Sequence, residues 1–257
     1  MRSKISIIIL LTLIMTATSL TQAQTDFPAR SAELLQAVKT QNQPTIDRLT
    51  QQLAEVSPQT LADDLSDDTR RKTFWINLYN SYVIILLREN PDLYDDRDAF
   101  FTEPRATIAQ AKLSFDDIEH GILRRSKIKL SLGLANNPFA GDYEKMMRVD
   151  EVDWRIHFAL NCGADACPPV EIYHTSSLDQ QLENRARLYL KNNTVYREAD
   201  NTVIVTPLMS WFRGDFGGST GVKEILKSYS LIPQESDPSL EYKDYDWTLD
   251  IDNFASQ

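Results

Sequence analysis

The stretch from Thr73 to Glu89 constrains this chain more than any other. It contains Phe74-Trp75-Ile76-Asn77-Leu78-Tyr79-Asn80-Ser81-Tyr82-Val83-Ile84-Ile85-Leu86-Leu87. Apolar residues fall on nearly every face of a 3.6-residue helix, and a helix of that kind is stable only when other elements surround it. The spacing therefore predicts a central buried helix, closed by Asn90-Pro91. Two amides, Asn77 and Asn80, sit three residues apart on one face of it. Buried amides need partners, so each is either a structural clip or part of a polar site. Asn77 is a candidate site residue.

The remainder reads as helices first and short strands later. Ser31 to about Gln41 and Ile46 to Val56 are amphipathic helices, with Gln24 to Arg30 as a leader and Leu61 to Asp68 as an acidic connector. Asp92 to Ala106 reads as loop with short helical turns. Ser114-Phe115-Asp116-Asp117 starts a helix to Arg125, and Leu130 to Asp142 is a long loop. Trp154 to Leu160 is short, apolar and aromatic, which suits a buried strand. Ser177 to about Leu190 is a helix. Thr194–Tyr196 and Thr202–Thr206 flank Asp200-Asn201 as a hairpin. Ser210 to Gly218 is an aromatic-glycine loop before a last helix, Gly221 to Tyr229. The fold class is α+β: helices of the N-terminal half packed on a small, mainly antiparallel sheet from the C-terminal half.

Residues 1–23 stand apart. Arg2 and Lys4 precede an apolar run from Ile5 to Met15, and Thr21-Gln22-Ala23 resembles a cleavage site. The pattern is that of a signal peptide, and the run is too short to span a bilayer. Cleavage after Ala23 leaves one domain of 234 residues (24–257, core about 34–250) and moves the formal charge from −10 to −12, because Arg2 and Lys4 are lost and no acid is. The expectation is a secreted or periplasmic protein with no stable membrane anchor. Such acidity disfavours nucleic acid, whose phosphates need Lys and Arg. Eight glycines with no GxGxxG or GxxxxGKS pattern leave no nucleotide loop, so no cofactor is expected.

Chemistry has few carriers: three histidines and two cysteines. His157 and Cys162 bracket the exit of the expected strand, although their odd separation places them on opposite faces of a straight one. Glu119 and His120 lie on the helix before Arg124, about 100° apart. Four readings compete. Cys162 and Cys167 form a structural disulfide in an oxidising compartment. Cys162 is a nucleophile with a histidine base. Cys162, Cys167, His157 and His120 bind zinc. The two cysteines form a redox dithiol, though with four residues between them rather than two. His174 reads as a surface histidine, and Asp215 either serves a site or is a turn carboxylate.

Taken together, the segments resemble the family called domain of unknown function 547, found in exported bacterial proteins and in plant proteins with a leucine zipper. The residues that carry the likeness are Phe74 to Asn80, Asp117 to Arg124, Arg155 to Gly163, Cys167-Pro168-Pro169, Trp211, Asp215-Phe216 and Tyr245-Asp246-Trp247. They span about Leu34 to Asp250, and the family name states no activity. The order of a buried helix followed by a histidine-bearing strand also resembles papain- and transglutaminase-type thiol enzymes. Those place the cysteine at the start of the central helix, where this chain has Arg71-Lys72-Thr73-Phe74. The expected site is Cys162, His157, His120, Glu119 and Asn77, with no metal. Its reaction would be that of a thiol hydrolase or acyl transferase on an amide or ester. Cys162 would attack, His157 or His120 would be the base, and Glu119 or Asn77 would orient it. The alternative is a non-catalytic domain binding a small molecule or peptide with the same residues.

Overall fold

The computed structural model describes residues 25–255; the expected signal peptide and its cleavage point lie outside them. The helical half runs α1 (Phe27–Lys39), α2 (Gln43–Glu55), α3 (Pro58–Asp64), α4 (Asp68–Glu89) and α5 (Arg97–Thr102). Capping sets the starts. Asp26, Asn42, Ser57 and Asp67 each accept a backbone N–H from the first turn, and prolines follow in the first turns of α1, α2 and α3. The expected leader therefore runs into α1 from Phe27, and half of the expected acidic connector is the end of α3. Both were masked by the absence of an apolar repeat in short, cap-driven segments.

Helix α4 is the central element that its sequence predicts. Phe74, Trp75, Ile76 and Leu78 have no exposed surface, and α1 lies along it with Leu34 and Leu35 equally buried. Asn77 is spent within this core. Its amide nitrogen donates to Ser31 Oγ (3.2 Å) and to the Tyr173 carbonyl (2.9 Å), while its oxygen accepts the Tyr173 N–H (2.9 Å). Asn80 does the same for the next segment, donating to the Ala159 carbonyl and accepting from the Asn161 N–H, both at 2.9 Å. The two amides clip α4 to the chain that carries the histidine and the cysteines.

A β1–β2 hairpin (Ala106–Ile108, Ala111–Leu113) leads to residues 117–123. The expected helix there is a π-helix, Asp117–Leu123, in which Arg124 N–H bonds to the Glu119 carbonyl (2.9 Å) and Ser126 N–H to that of Gly121 (2.7 Å). Next come α6 (Asp142–Met147) and a 3₁₀ turn, Trp154–Phe158, where a strand was expected. A short apolar run has no period long enough to separate the two, and the Asn80 clip satisfies its exit without a sheet. The last part comprises α7 (Leu178–Asn193), β3 (Val195–Arg197), β4 (Thr202–Val205), α8 (Leu208–Trp211), α9 (Gly218–Ser228) and β5 (Ser239–Tyr242). The hairpin β3–β4 is antiparallel as expected, with Tyr196 opposite Val203, while β5 joins β4 in parallel, Val203 opposite Leu240. A second apolar cluster, including Phe158, Leu190, Val203, Met209 and Phe216, fills the space beneath this sheet. The class is α+β.

Candidate functional site

Between the π-helix, the 3₁₀ turn and the C-terminal segment lies a cleft of about 360 Å³. Its floor carries Glu119, His120 and His157; the Cys162–Cys167 disulfide and Pro168 form one wall, and Trp211, Phe212, Tyr245 and Trp247 form another. Four of the five expected site residues thus meet here. Asn77 does not: it is fully buried and saturated by the clip described above, so an orienting role at this site is corrected to a structural one.

The π-helix explains how adjacent residues share the cleft. A turn closed by i to i+5 bonds is wider than an α-turn, so successive side chains diverge by less than the 100° of an α-helix. Glu119 and His120 both reach the floor as a result. Behind them sits a buried ion pair. Arg124, on the last turn, donates from Nε to Asp215 Oδ2 (2.6 Å) and from Nη2 to Oδ1 (3.2 Å). The same Oδ2 accepts from His157 Nε2 (2.8 Å). Phe212 stacks on the His157 ring at 3.8 Å, and the Arg124 guanidinium lies over its ring at 4.7 Å. Asp215 is therefore the anchor of the floor rather than a turn carboxylate.

Arg124 also fixes the state of His120. Its Nη1 lies 2.7 Å from His120 Nδ1, and a guanidinium can only donate. His120 Nδ1 is thus the acceptor, and the ring proton sits on Nε2, 3.6 Å from Asp116 Oδ1. Burial, reinforced by the Arg124 charge, lowers the His120 pKa to about 3, so the ring is neutral. Burial also lowers that of His157, against the pull of Asp215. For Asp215 burial acts upward, but the hydrogen bonds from His157 and Arg124 outweigh it and hold the carboxylate ionised. Glu119 has no such support. Burial pushes its carboxyl from 4.5 up to about 7, against the Arg124 charge, and its side chain accepts a long hydrogen bond from the Tyr79 hydroxyl at 3.5 Å. Asp116 also rises through burial, although Lys129 binds it at 2.8 Å.

Cys162 and Cys167 are bonded to each other, with Cα atoms 6.2 Å apart, within the range a disulfide requires. The Tyr245 hydroxyl donates to Cys167 Sγ (3.1 Å) and lies 3.6 Å from Cys162 Sγ. Asn161 shapes the loop, donating to the Pro168 carbonyl (2.9 Å) and accepting the Gly163 N–H (2.8 Å). In this state Cys162 has no thiolate, and only the thiolate is a nucleophile or a metal ligand. Among the described residues no group of three or more His, Cys, Asp or Glu side chains converges as metal ligands would.

Residues 62–190 match a family described as a protein of unknown function, DUF547. The chain belongs to this family. The matched part of this DUF547 chain supplies Glu119, His120, Arg124, His157 and both cysteines, while Asp215 and the Trp211–Tyr245–Trp247 wall come from beyond it. Comparison with curated proteins and with solved structures gave no match, so the likeness to papain- and transglutaminase-type enzymes gains no support.

The aromatic wall is what local sequence reading missed as a site. Trp211 and Trp247 stack at 5.6 Å, and Tyr245 packs on both at 5.1 and 4.7 Å. The available signal was Trp211 in an aromatic-glycine loop and the late Tyr245-Asp246-Trp247, but nothing local joins segments that far apart.

Proposed function

We propose that the DUF547 cleft is a non-catalytic binding site for an apolar small molecule or for an apolar side chain of a peptide. The observation that carries this reading is an aromatic wall lining the same cleft as Glu119, whose carboxyl burial pushes up, with the two sulfurs of the cleft tied to each other. Ligand sites are typically concave and mainly apolar, with a few polar groups that fix orientation. Here those groups are the Glu119 carboxyl and the His120 Nε2–H. The export expected from residues 1–23 belongs to this proposal, since an oxidising compartment keeps the disulfide formed.

The thiol-enzyme reading rests on Cys162, His120, His157 and Glu119 sharing one cleft. It requires the disulfide to be reduced first. It also requires a histidine base, and His157 Nε2 faces Asp215 while His120 Nδ1 faces Arg124. Titration with the neutral apolar dye N-phenyl-1-naphthylamine separates the two readings, alongside a screen of thioester and peptide substrates. We expect saturable dye binding, weakened about tenfold or more in Trp211→Ala through loss of a stacking face, and no turnover. Absence of saturable binding, or sustained turnover abolished in Cys162→Ala, refutes the binding reading.

A further inference from the structure

The segment joining the π-helix to α6 differs from the rest of the molecule in both charge and apolar exposure. Between Arg124 and Arg148 there are four Lys/Arg against two Asp/Glu, in a chain whose formal charge is −10. Within it Leu130 is 92% exposed, Phe139 88% and Leu134 71%, and Ile128, Leu132 and Met146 are near 40%. Single exposed apolar residues are ordinary; a run of them marks a contact surface.

The backbone holds these side chains outward. Ile128 N–H bonds to the Ala135 carbonyl (3.0 Å), Leu134 N–H to that of Ser131 (2.9 Å) and Asn137 N–H to that of Ser126 (2.6 Å). Ser131 Oγ donates to the Ile128 carbonyl (2.7 Å) and accepts the Ala135 N–H (3.1 Å). The loop is pinned to the floor of the cleft at Gly133, whose φ of +83° and absent side chain let it rest on the buried ion pair. A Cβ there would lie 2.5 Å from Asp215 Oδ1. Across from it Gly214 donates to the Leu132 carbonyl at 2.7 Å.

The cations around the loop are largely free. Among the described residues Lys129 pairs with Asp116, but Arg125, Lys127 and Lys145 have no carboxylate within ion-pair distance. A second copy would have to pair this face with itself, which brings Arg125, Lys127 and Lys145 of both copies together. Among the described residues the other large exposed apolar side chains are Trp211 and Trp247, in the cleft wall, and Leu188 and Val195, apart on α7 and β3. An anionic bilayer supplies both complements together: an acyl boundary for apolar side chains and phosphates for the cations.

We propose that residues 128–139 dock the protein peripherally on an anionic lipid surface. Leu130, Leu134 and Phe139 enter the headgroup–acyl boundary, with Arg125, Lys127 and Lys145 at the phosphates. Leu130 and Leu132 also line the cleft, so docking sets the mouth of the cleft against the membrane. This holds whatever the cleft binds.

The test is cosedimentation with vesicles of phosphatidylglycerol and phosphatidylcholine, against phosphatidylcholine alone, using the chain with and without residues 1–23. The core begins at Phe27, so removing residues 1–23 leaves it whole. Binding is expected only to the anionic vesicles, with or without that segment, and is expected to fall with added salt. It should drop about tenfold or more in Leu130→Asp with Phe139→Asp and about tenfold in Arg125→Glu with Lys145→Glu. All four side chains are exposed, and unchanged thermal melts confirm that the variants fold. The proposal is overturned by no binding to anionic vesicles, by equal binding to phosphatidylcholine alone, by binding that needs residues 1–23, or by variants that bind as the wild type does. Self-association abolished by Leu130→Asp, in place of vesicle binding, also overturns it.

Discussion

Glu119→Gln should remove a pH dependence of stability that this one carboxyl creates. In the folded protein burial raises its pKa from 4.5 to about 7, so the native state holds a proton that the unfolded chain has released. Stability from the neutral acid is fully present below pH 4.5 and is lost as pH rises through about 7. That displacement corresponds to about 3 kcal/mol between the two limits. The side chain is only half-buried and opens on the cleft, where water screens part of the cost, so about 1–2 kcal/mol is expected between pH 5 and pH 8. Glutamine keeps the shape and cannot ionise. His120 works in the opposite direction. Its pKa is lowered from 6.5 to about 3, so its contribution is present above pH 6.5 and lost as pH falls toward 3. Both proteins carry His120, so the difference between them isolates Glu119. Urea unfolding at pH 5, 6, 7 and 8 measures it. The variant should gain on the wild type by about 1–2 kcal/mol from pH 5 to pH 8, or by roughly 2–8 °C in melting temperature for a chain of this size. A stability gap that stays constant across this range would refute the assignment of Glu119 as a destabilised acid.

Asp215→Asn leaves the buried Arg124 guanidinium without its counter-charge and should cost about 3–5 kcal/mol in chemical denaturation. Asn77→Ala orphans the Tyr173 N–H and should cost about 1–3 kcal/mol, yet leave dye affinity unchanged, because Asn77 is a clip remote from the cleft. Opening the disulfide in Cys162→Ser with Cys167→Ser should cost about 2 kcal/mol from the entropy of so short a loop, measured by thermal unfolding. Dye affinity should fall between pH 6 and pH 8 in the wild type, as an apolar ligand must then dry an ionised Glu119, and should be flat in Glu119→Gln; titration at each pH checks this.

The parts of the fold legible in the sequence were those with a local cause. Helix α4 is apolar on nearly every face and admits no other structure, and the β3–β4 hairpin announces itself through Asp200-Asn201. Trp154 to Leu160 reads as a strand because seven residues, five of them apolar, fit a buried strand and a 3₁₀ turn equally well. Asn80, 81 residues before Asn161, takes up the Asn161 N–H and so satisfies the exit of the turn without a sheet. The π-helix was illegible for a similar reason: one extra residue in a turn leaves no periodic trace, yet it brings Glu119 beside His120. The histidine, glutamate and cysteine of the site could be guessed from scarcity of chemistry alone. Their roles could not, because they depend on long-range partners. Arg124 and Asp215 lie 91 residues apart; Asp215 holds His157, the pair seats Gly133, and Arg124 adds to the burial that keeps His120 neutral. The amide of Asn77 looked like a site residue for the same reason that it is a clip: a buried polar group must be satisfied, and here the partner was backbone.

The central claim is a binding cleft whose sulfurs form a wall and not a nucleophile. Iodoacetamide labelling of the native protein without reductant, followed by peptide mapping, tests it most directly. A single peptide pair linked through Cys162 and Cys167, with neither residue alkylated, is the predicted result. Stoichiometric alkylation of Cys162 in the native protein, with Cys167 unlinked, would contradict it.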